Sequence, residues 1–574
     1  MGVLGLQLAT SLVAASVLSK VISFYSFTRL LVVGLLRCVV PTDQQLLEAS
    51  GNCKIKTKGK KKRNDLLSWT ANGTSCHSDT FYFPRMTTIH LKRSHISSSD
   101  VAILPLYSSH QWLVDFTVCA LCVYIINEIA YNFIIPWYEV YYRNQTTLPD
   151  VSTKQHFSYP ASLDVRINLS LVWITLSLWF TLRVLISLTA IYFRSKDCDT
   201  KTESRSPKPT TNGTSTNMYS GECILILAAA FFFLVVATLF LSLDGTFVDF
   251  GLQAAYENLT ISNASSSGIP LISWGAFHFI LAVLACIIGA LFVYPGIKFG
   301  KIYLDTVTQS SAPVIKRFLL HINFICPVIP ILLWLIPITD HISHSLIMLT
   351  HSNSVTGQPF LLMVVNLLSN LFVKHLDSIR LLVSMIVVLL RLATTRWIIQ
   401  AYLNSAQEKL DRFSREPGRT SNKEVQRLVA SIFYCLNLVS LQYIAPCFLS
   451  LCLLCLYKNL AGLSWLPCHH HHHHHHHHRY SSLPDTSYAM NPVYEIHNLT
   501  NLLSMDFLTD QRNLTSWSTA FMLARSIISQ TMDNFIVRGM IISRGVFGFL
   551  VWWTLVSWQS MSFLGLAYHR FAND

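Results

Sequence analysis

Chemistry in a chain this apolar has to come from the few charges that fall inside its hydrophobic runs. Residues 112–135, WLVDFTVCALCVYIINEIAYNFII, carry both Asp115 and Glu128. A carboxylate facing lipid is expensive, so Glu128 is expected to face another helix, a cation or water. Two readings follow for it: a structural ion pair, or a site for an ion or proton. Asp115 falls close to one end of the same stretch, where the plain expectation is a hydrated residue at the membrane edge. Arg183 and Arg391 interrupt two other apolar runs. Arginine suits a buried carboxylate because its fork donates two bonds and its charge is not lost. At a rise of ~1.5 Å per residue, both arginines fall at depths between Glu128 and Asp115. The sequence therefore predicts a Glu128–Arg183 or Glu128–Arg391 pair. A voltage-sensing ladder would need several arginines three apart, and Arg380, Arg391 and Arg396 do not supply it.

His321 and Asn323, in LLHINF, form a second candidate. A membrane-embedded His beside an Asn invites an acyltransferase reading, with the imidazole as general base. The plainer expectation is an interfacial His bonded to a neighbouring carbonyl. The run His469–His478 would bind Zn or Cu in a test tube. With no acidic or Cys scaffold around it, it reads as expansion of a tolerant loop rather than a metal site. His341, His344 and Asp340 are a fainter hint of the same kind, and His278 reads as a packing histidine. Cys119-x-x-Cys122 and Cys452-x-x-Cys455 lie within apolar runs, where cysteine acts as a small hydrophobe. No nucleophile elbow, P-loop, dinucleotide fingerprint or HExxH motif is present. Neither a catalytic residue, a metal ligand set nor a cofactor is expected.

The elements that must position these residues are membrane helices. The 574 residues are 51% hydrophobic and 13% charged, which predicts an all-α polytopic bundle rather than a string of soluble domains. Nine spans are expected. Residues 1–40 form an N-terminal apolar helix, retained because no basic segment precedes it; eight spans remain if it is cleaved as a signal. A polar loop, 41–111, holds the basic run Lys54–Arg63, which could hold anionic lipid. A seven-span region covers 112–456, with spans near 169–193, 222–243, 271–294, 317–338, 380–400 and 428–456 after the first. Pro359–Val373 is too short to cross and reads as interfacial. A long His-containing loop, 457–544, precedes a Trp-rich final span in 545–574.

Lys409, Arg412, Arg415, Arg419, Lys423 and Arg427 place loop 397–427 in the cytoplasm. Alternation then puts 41–111, 194–221 and 295–316 inside as well. The outside loops contain the sequons at Asn144, Asn258, Asn263, Asn498 and Asn513, which need a luminal or extracellular face. The N-terminus is thus expected outside and the C-terminus in the cytoplasm. A nucleic-acid partner is implausible for such a chain; lipid is the certain one.

Several collinear stretches carry a resemblance. They are the opening MGVLGLQLATSLVAASVLSKVI, HQWLVDFTV (His110–Val118), NLSLVW (Asn168–Trp173), and LLHINF with LLWLIPIT (Leu332–Thr339). RLLVSMIVVLLRLA (Arg380–Ala393), QAYLNSAQ (Gln400–Gln407), LQYIAP (Leu441–Pro446), RGVFGFLVWW (Arg544–Trp553) and FLGLAYH (Phe563–His569) continue it. Together they resemble the transmembrane protein 161 family of multi-pass membrane proteins. Departures are loop insertions at 51–100, 196–220, 350–375 and 465–515. The family pattern has Lys at the position of Arg183, whereas Asp115, Glu128 and Arg391 fit it as they stand. The resemblance implies no established catalytic activity, cofactor or substrate. It implies an association with excitable tissue and with restraint of potassium and calcium currents, hence cation channels as partners.

Overall fold

A computed structural model describes residues 2–49, 82–84, 89–130, 170–194, 221–257, 273–308, 314–356, 367, 369, 371–415, 419–465 and 516–571. The bundle among them is built from α1 (Gly2–Phe24), α2 (Phe27–Val32), α3 (Tyr107–Ile129), α4 (Leu171–Arg194), α5 (Gly221–Ser242) and α6 (Trp274–Thr308). It continues with α7 (Val314–Ile325), α8 (Ile336–Thr356), α9 (Leu376–Arg415), α10 (Asn422–Tyr434), α11 (Leu436–Leu460) and α12 (Ser516–Phe571).

Among the described residues, five stretches are long and apolar enough to cross a membrane: Tyr107–Ile129, Leu171–Phe193, Cys223–Ser242, Trp274–Thr308 and Asn422–Leu460. The expectation of nine is not met on that criterion. The physical reasons are local. Pro327 interrupts the predicted 317–338 span, leaving α7 and the short helix Val328–Leu332. The predicted 380–400 span belongs to a helix that carries Arg380, Arg391 and Arg396. The final span is rich in Trp, Ser and Gly rather than aliphatic residues.

Predicted loops are also corrected: 457–544 is helical from Ser516, as the first part of α12, and α6 runs to Thr308 through most of 295–316. Part of 41–111 is folded: β1 (Leu36–Cys38) pairs antiparallel with Arg93–His95, and Tyr82–Pro84 pairs with Arg419–Ser421. The all-α expectation is amended by these two small sheets. Loop 397–427 is largely helix, the end of α9 and the start of α10.

The centre is α11, buried from Leu436 to Lys458 and packed by α3, α4, α6, α9 and α12. A helix apolar on every side belongs in the middle of a bundle. Beside it, α6 and α12 make the most extensive helix pairing, and glycine permits it. A Cβ on Gly300 would sit 2.5 Å from the Ser562 carbonyl oxygen, and one on Gly565 would sit 2.6 Å from the Ile297 Cα. Small residues let backbones meet where lipid offers no hydrophobic drive between helices. Trp552 and Trp553 fill the same seam, their indole N–H groups donating to the carbonyls of Ile331 and Ala285.

Contacts between distant parts of the chain gather at two opposite ends. At one, Asp244 closes the turn after α5 by accepting the backbone N–H groups of Phe250, Gly251, Leu252 and Gln253 at 2.7–3.3 Å. There Val248 bridges to Leu335, and Ser543 donates to the Leu460 carbonyl. At the other end the tail of α9 meets residues 30–38 and 89–91, and Arg412 reaches Asp305 of α6 at 3.9 Å.

Candidate functional site

Glu128 ends up in the last turn of α3, buried, and its carboxylate is paired with the Lys458 ammonium. The predicted Glu128–Arg183 and Glu128–Arg391 pairs are not formed. Lys458 lies in the last turn of α11, where the helix dipole also favours a cation. Next to it, the Asn459 amide donates to the Tyr124 hydroxyl at 2.6 Å. The sequence misses Lys458 because the apolar run fades just before it, so it reads as the first cation of a loop.

Asp115 is not a hydrated edge residue. It is buried and accepts from the Ser26 hydroxyl at 2.8 Å and the Thr28 backbone N–H at 3.3 Å. Those are the cap and an early N–H of α2, whose own cap side chain makes no capping bond. Asp115 thus satisfies a helix start that its own sequence leaves open. Two residues on, Thr117 accepts from Ser177 of α4 at 2.8 Å.

Arg183 stands exposed on the outer face of α4. Arg391 is 1% exposed, deep in the bundle. Its guanidinium donates to the Gln559 side-chain oxygen at 2.8 Å and lies over the rings of Trp558, at 3.8 Å, and Phe299, at 5.4 Å. Among the described residues no carboxylate pairs with it; aromatic faces and an amide take that place. The Gln559 amide donates in turn to the Phe324 carbonyl at 2.9 Å, and Tyr443 donates to the carbonyl of Arg391 at 2.9 Å.

His321 and Asn323 lie on the same short helix but are engaged by different tyrosines. His321 Nδ1 lies 2.7 Å from the Tyr303 hydroxyl, and the buried Asn323 amide donates to the Tyr443 hydroxyl at 3.4 Å. They tie α7 to α6 and α11 and do not converge on one reacting centre.

Among the described residues, the densest ionic cluster lies around Arg380. Arg380, 1% exposed, reaches Asp249 and Asp377 at 3.0 Å each and donates from Nε to the Leu333 carbonyl at 2.8 Å. Its guanidinium also lies over the Trp334 ring at 4.8 Å. Asp377 in turn pairs with Arg544 at the head of the buried part of α12. The signal that could have found it is spacing: Arg380 and Arg391 are about three helical turns apart and share a face.

The sequons at Asn144, Asn258, Asn263, Asn498 and Asn513, the basic run Lys54–Arg63, the His469–His478 run and most of Pro359–Val373 lie outside the described residues. Among the described residues there is no group of three or more His, Cys, Asp or Glu side chains placed to hold a metal.

No solved structure matches the chain. The family profile described as "Predicted transmembrane protein 161AB" matches residues 2–141, 151–205 and 214–573. That match takes in Asp115, Glu128, Lys458, Arg380 and Arg391 alike, and on its extent the chain belongs to the transmembrane protein 161 family, as an integral, multi-pass membrane protein of helical build.

Proposed function

We propose that this protein is a non-enzymatic modulator of potassium and calcium currents, acting on a partner cation channel. The observation that supports this reading is the fate of the buried intramembrane charges. Glu128 is taken up by Lys458, Asp115 by the start of α2, Arg380 by two aspartates, and Arg391 by Gln559 and two rings. Charges locked in this way, around a central helix buried along nearly its whole length, describe a rigid body better than a path along which ions bind and leave.

The orientation belongs to the same proposal. The helices α1, α3, α4, α5, α6, α7 with its continuation, α9, α11 and α12 run between the two ends as nine crossings. The end that gathers Lys298, Lys301 and Lys409 faces the cytoplasm by the positive-inside rule. The N-terminus and the glycosylation candidates then face outside, and the C-terminus inside.

The test is electrophysiological. In cells with a voltage-gated potassium or calcium channel, expressing this protein is expected to lower the current. In cells without such a channel it is expected to add none. A cation current that grows with this protein alone would reject the modulator reading.

A further inference from the structure

The same end of the bundle brings cations from three separate parts of the chain onto one small surface. Asp305 of α6 meets Arg412 of α9 at 3.9 Å. On α6, Lys301 is one turn before Asp305 and Lys298 a further turn back; on α9, Lys409 is one turn before Arg412. The Asp305–Arg412 contact therefore sets two cationic helix faces against each other. The third contributor is α12, which runs parallel to α6 in glycine contact, Gly565 against Ile297 and Gly300 against Leu566. Continuing that register one turn brings His569 to the level of Lys301 and Asp305.

Lys409 is only partly exposed, and its ammonium lies 6.0 Å above the Tyr402 ring. Burial, and then the neighbouring Lys301 and Lys298, hold its pKa below the usual lysine range, while Asp305 acts in the other direction. Acids are present on these turns besides Asp305: Glu408 and Asp411, the latter accepting from the Gln407 amide at 2.8 Å. Lys298, Lys301, Lys409 and Arg412, with Arg415 and Arg570 beside them, outnumber these acids. Cations gathered on one surface in excess of the acids on the same turns are what an anion of high charge density recognises.

The geometry points to a binding site for the phosphorylated headgroup of a phosphoinositide, formed by Lys298, Lys301, Lys409, Arg412 and His569 where α6, α9 and α12 reach the membrane surface. Tyr303 and Tyr402, one on α6 and one on α9, lie within about two turns of these cations, as aromatic residues do at a membrane–water boundary. A lipid is preferred over a soluble polyphosphate because the site sits at the ends of apolar helices, where acyl chains can lie alongside. The assignment uses the cytoplasmic orientation proposed above only to name the leaflet. The test does not depend on it, because both faces are open in a nanodisc.

Binding of a short-chain fluorescent phosphoinositide bisphosphate is measured on the full-length protein in phosphatidylcholine nanodiscs. The expected result is tighter binding than for a phosphatidylserine probe of the same chain length. Removing two charges with Lys301→Gln and Lys409→Gln should weaken it about tenfold or more. Lys423→Gln with Arg427→Gln, on α10 and off the cluster, should leave it unchanged. Asp305→Asn should strengthen it severalfold, a gain that misfolding cannot imitate and that decides the matter if the double variant does not fold. Equal binding of the two probes would overturn the site, as would indifference to both the Lys301/Lys409 and Asp305 changes. Full competition by inositol trisphosphate at the same concentration as the lipid would assign it to a soluble polyphosphate instead and overturn the lipid.

Discussion

The two ends of the bundle are held together by different chemistry. At the end bearing Lys458 and Arg380, opposite charges are buried against one another: Glu128 with Lys458, and Arg380 with Asp249 and Asp377, the latter shared with Arg544. At the end bearing the tail of α9, neutral amides grip backbone. Gln400 accepts from the Leu36 N–H at 2.9 Å and donates to the Leu36 carbonyl at 3.0 Å. Gln407 does the same to Leu91 and Ile89, each at 3.1 Å. Gln426 and Asn422 meet there on Asp43. Buried ion pairs are unforgiving because a lone survivor is strongly destabilised. An amide bracket is milder, since each bond is of ordinary strength and water can replace it. One end is thus a lock and the other a clasp, and among the described residues the clasp is where cations outnumber acids.

The sharpest way to break this contrast is Lys458→Met. It takes the ammonium away from the buried Glu128 carboxylate and should destabilise the protein by about 3–5 kcal/mol. Adding Glu128→Gln should restore most of that loss, as read by thermal unfolding in detergent. Next in size is Arg380→Met, which leaves Asp249 and Asp377 without their shared cation; about 2–4 kcal/mol is expected. In that variant, proteolysis should begin at the Asp249–Asp377 end.

At the clasp, Gln400→Leu removes both bonds to Leu36 and should cost only about 1–3 kcal/mol. Hydrogen exchange should quicken at 36–38 and 93–95 and stay unchanged around Lys458. If it quickened at both ends alike, the division into lock and clasp would fail. The smallest effect concerns Asp100, which closes the capping box of its short helix from a partly exposed position. The Ser97 backbone N–H, at 3.1 Å, holds the Asp100 carboxyl below the usual range; the Ser97 hydroxyl at 2.9 Å and Arg37 at 3.2 Å act in the same direction. A depressed carboxylate stabilises the fold above its ordinary pKa, and that contribution is lost as pH falls through the lowered value. Acidification should therefore loosen amides 97–101 first, and Asp100→Asn should abolish that local pH dependence.

The membrane class and the helix carrying Glu128 were legible in the sequence because both rest on long apolar runs interrupted by rare charges. Partners were not. Glu128 was matched to arginines by depth alone, while its lysine lay just past the hydrophobic run that defined the neighbouring span. The position of Asp115 in its own helix says membrane edge, yet its role is to cap α2, a segment far away in sequence. Arg380 makes no ladder with Arg391 and Arg396, yet its spacing from Arg391 marks a shared inward face. The clasp left no trace at all, since glutamines bonded to backbone follow no periodicity. The five helices that satisfy length and apolarity were also the easy ones; α12 hides its buried face in Trp, Gly and Ser, which hydropathy undervalues.

The central claim is that the buried charges hold the bundle together and carry no ions across it. It is tested most directly by cation flux through the purified protein in liposomes at controlled potential, with the wild type beside Glu128→Gln. Flux no greater than that of protein-free liposomes, from protein that unfolds cooperatively, is the predicted result. A robust cation flux that Glu128→Gln abolishes while leaving unfolding unchanged would contradict it and make Glu128 an ion site.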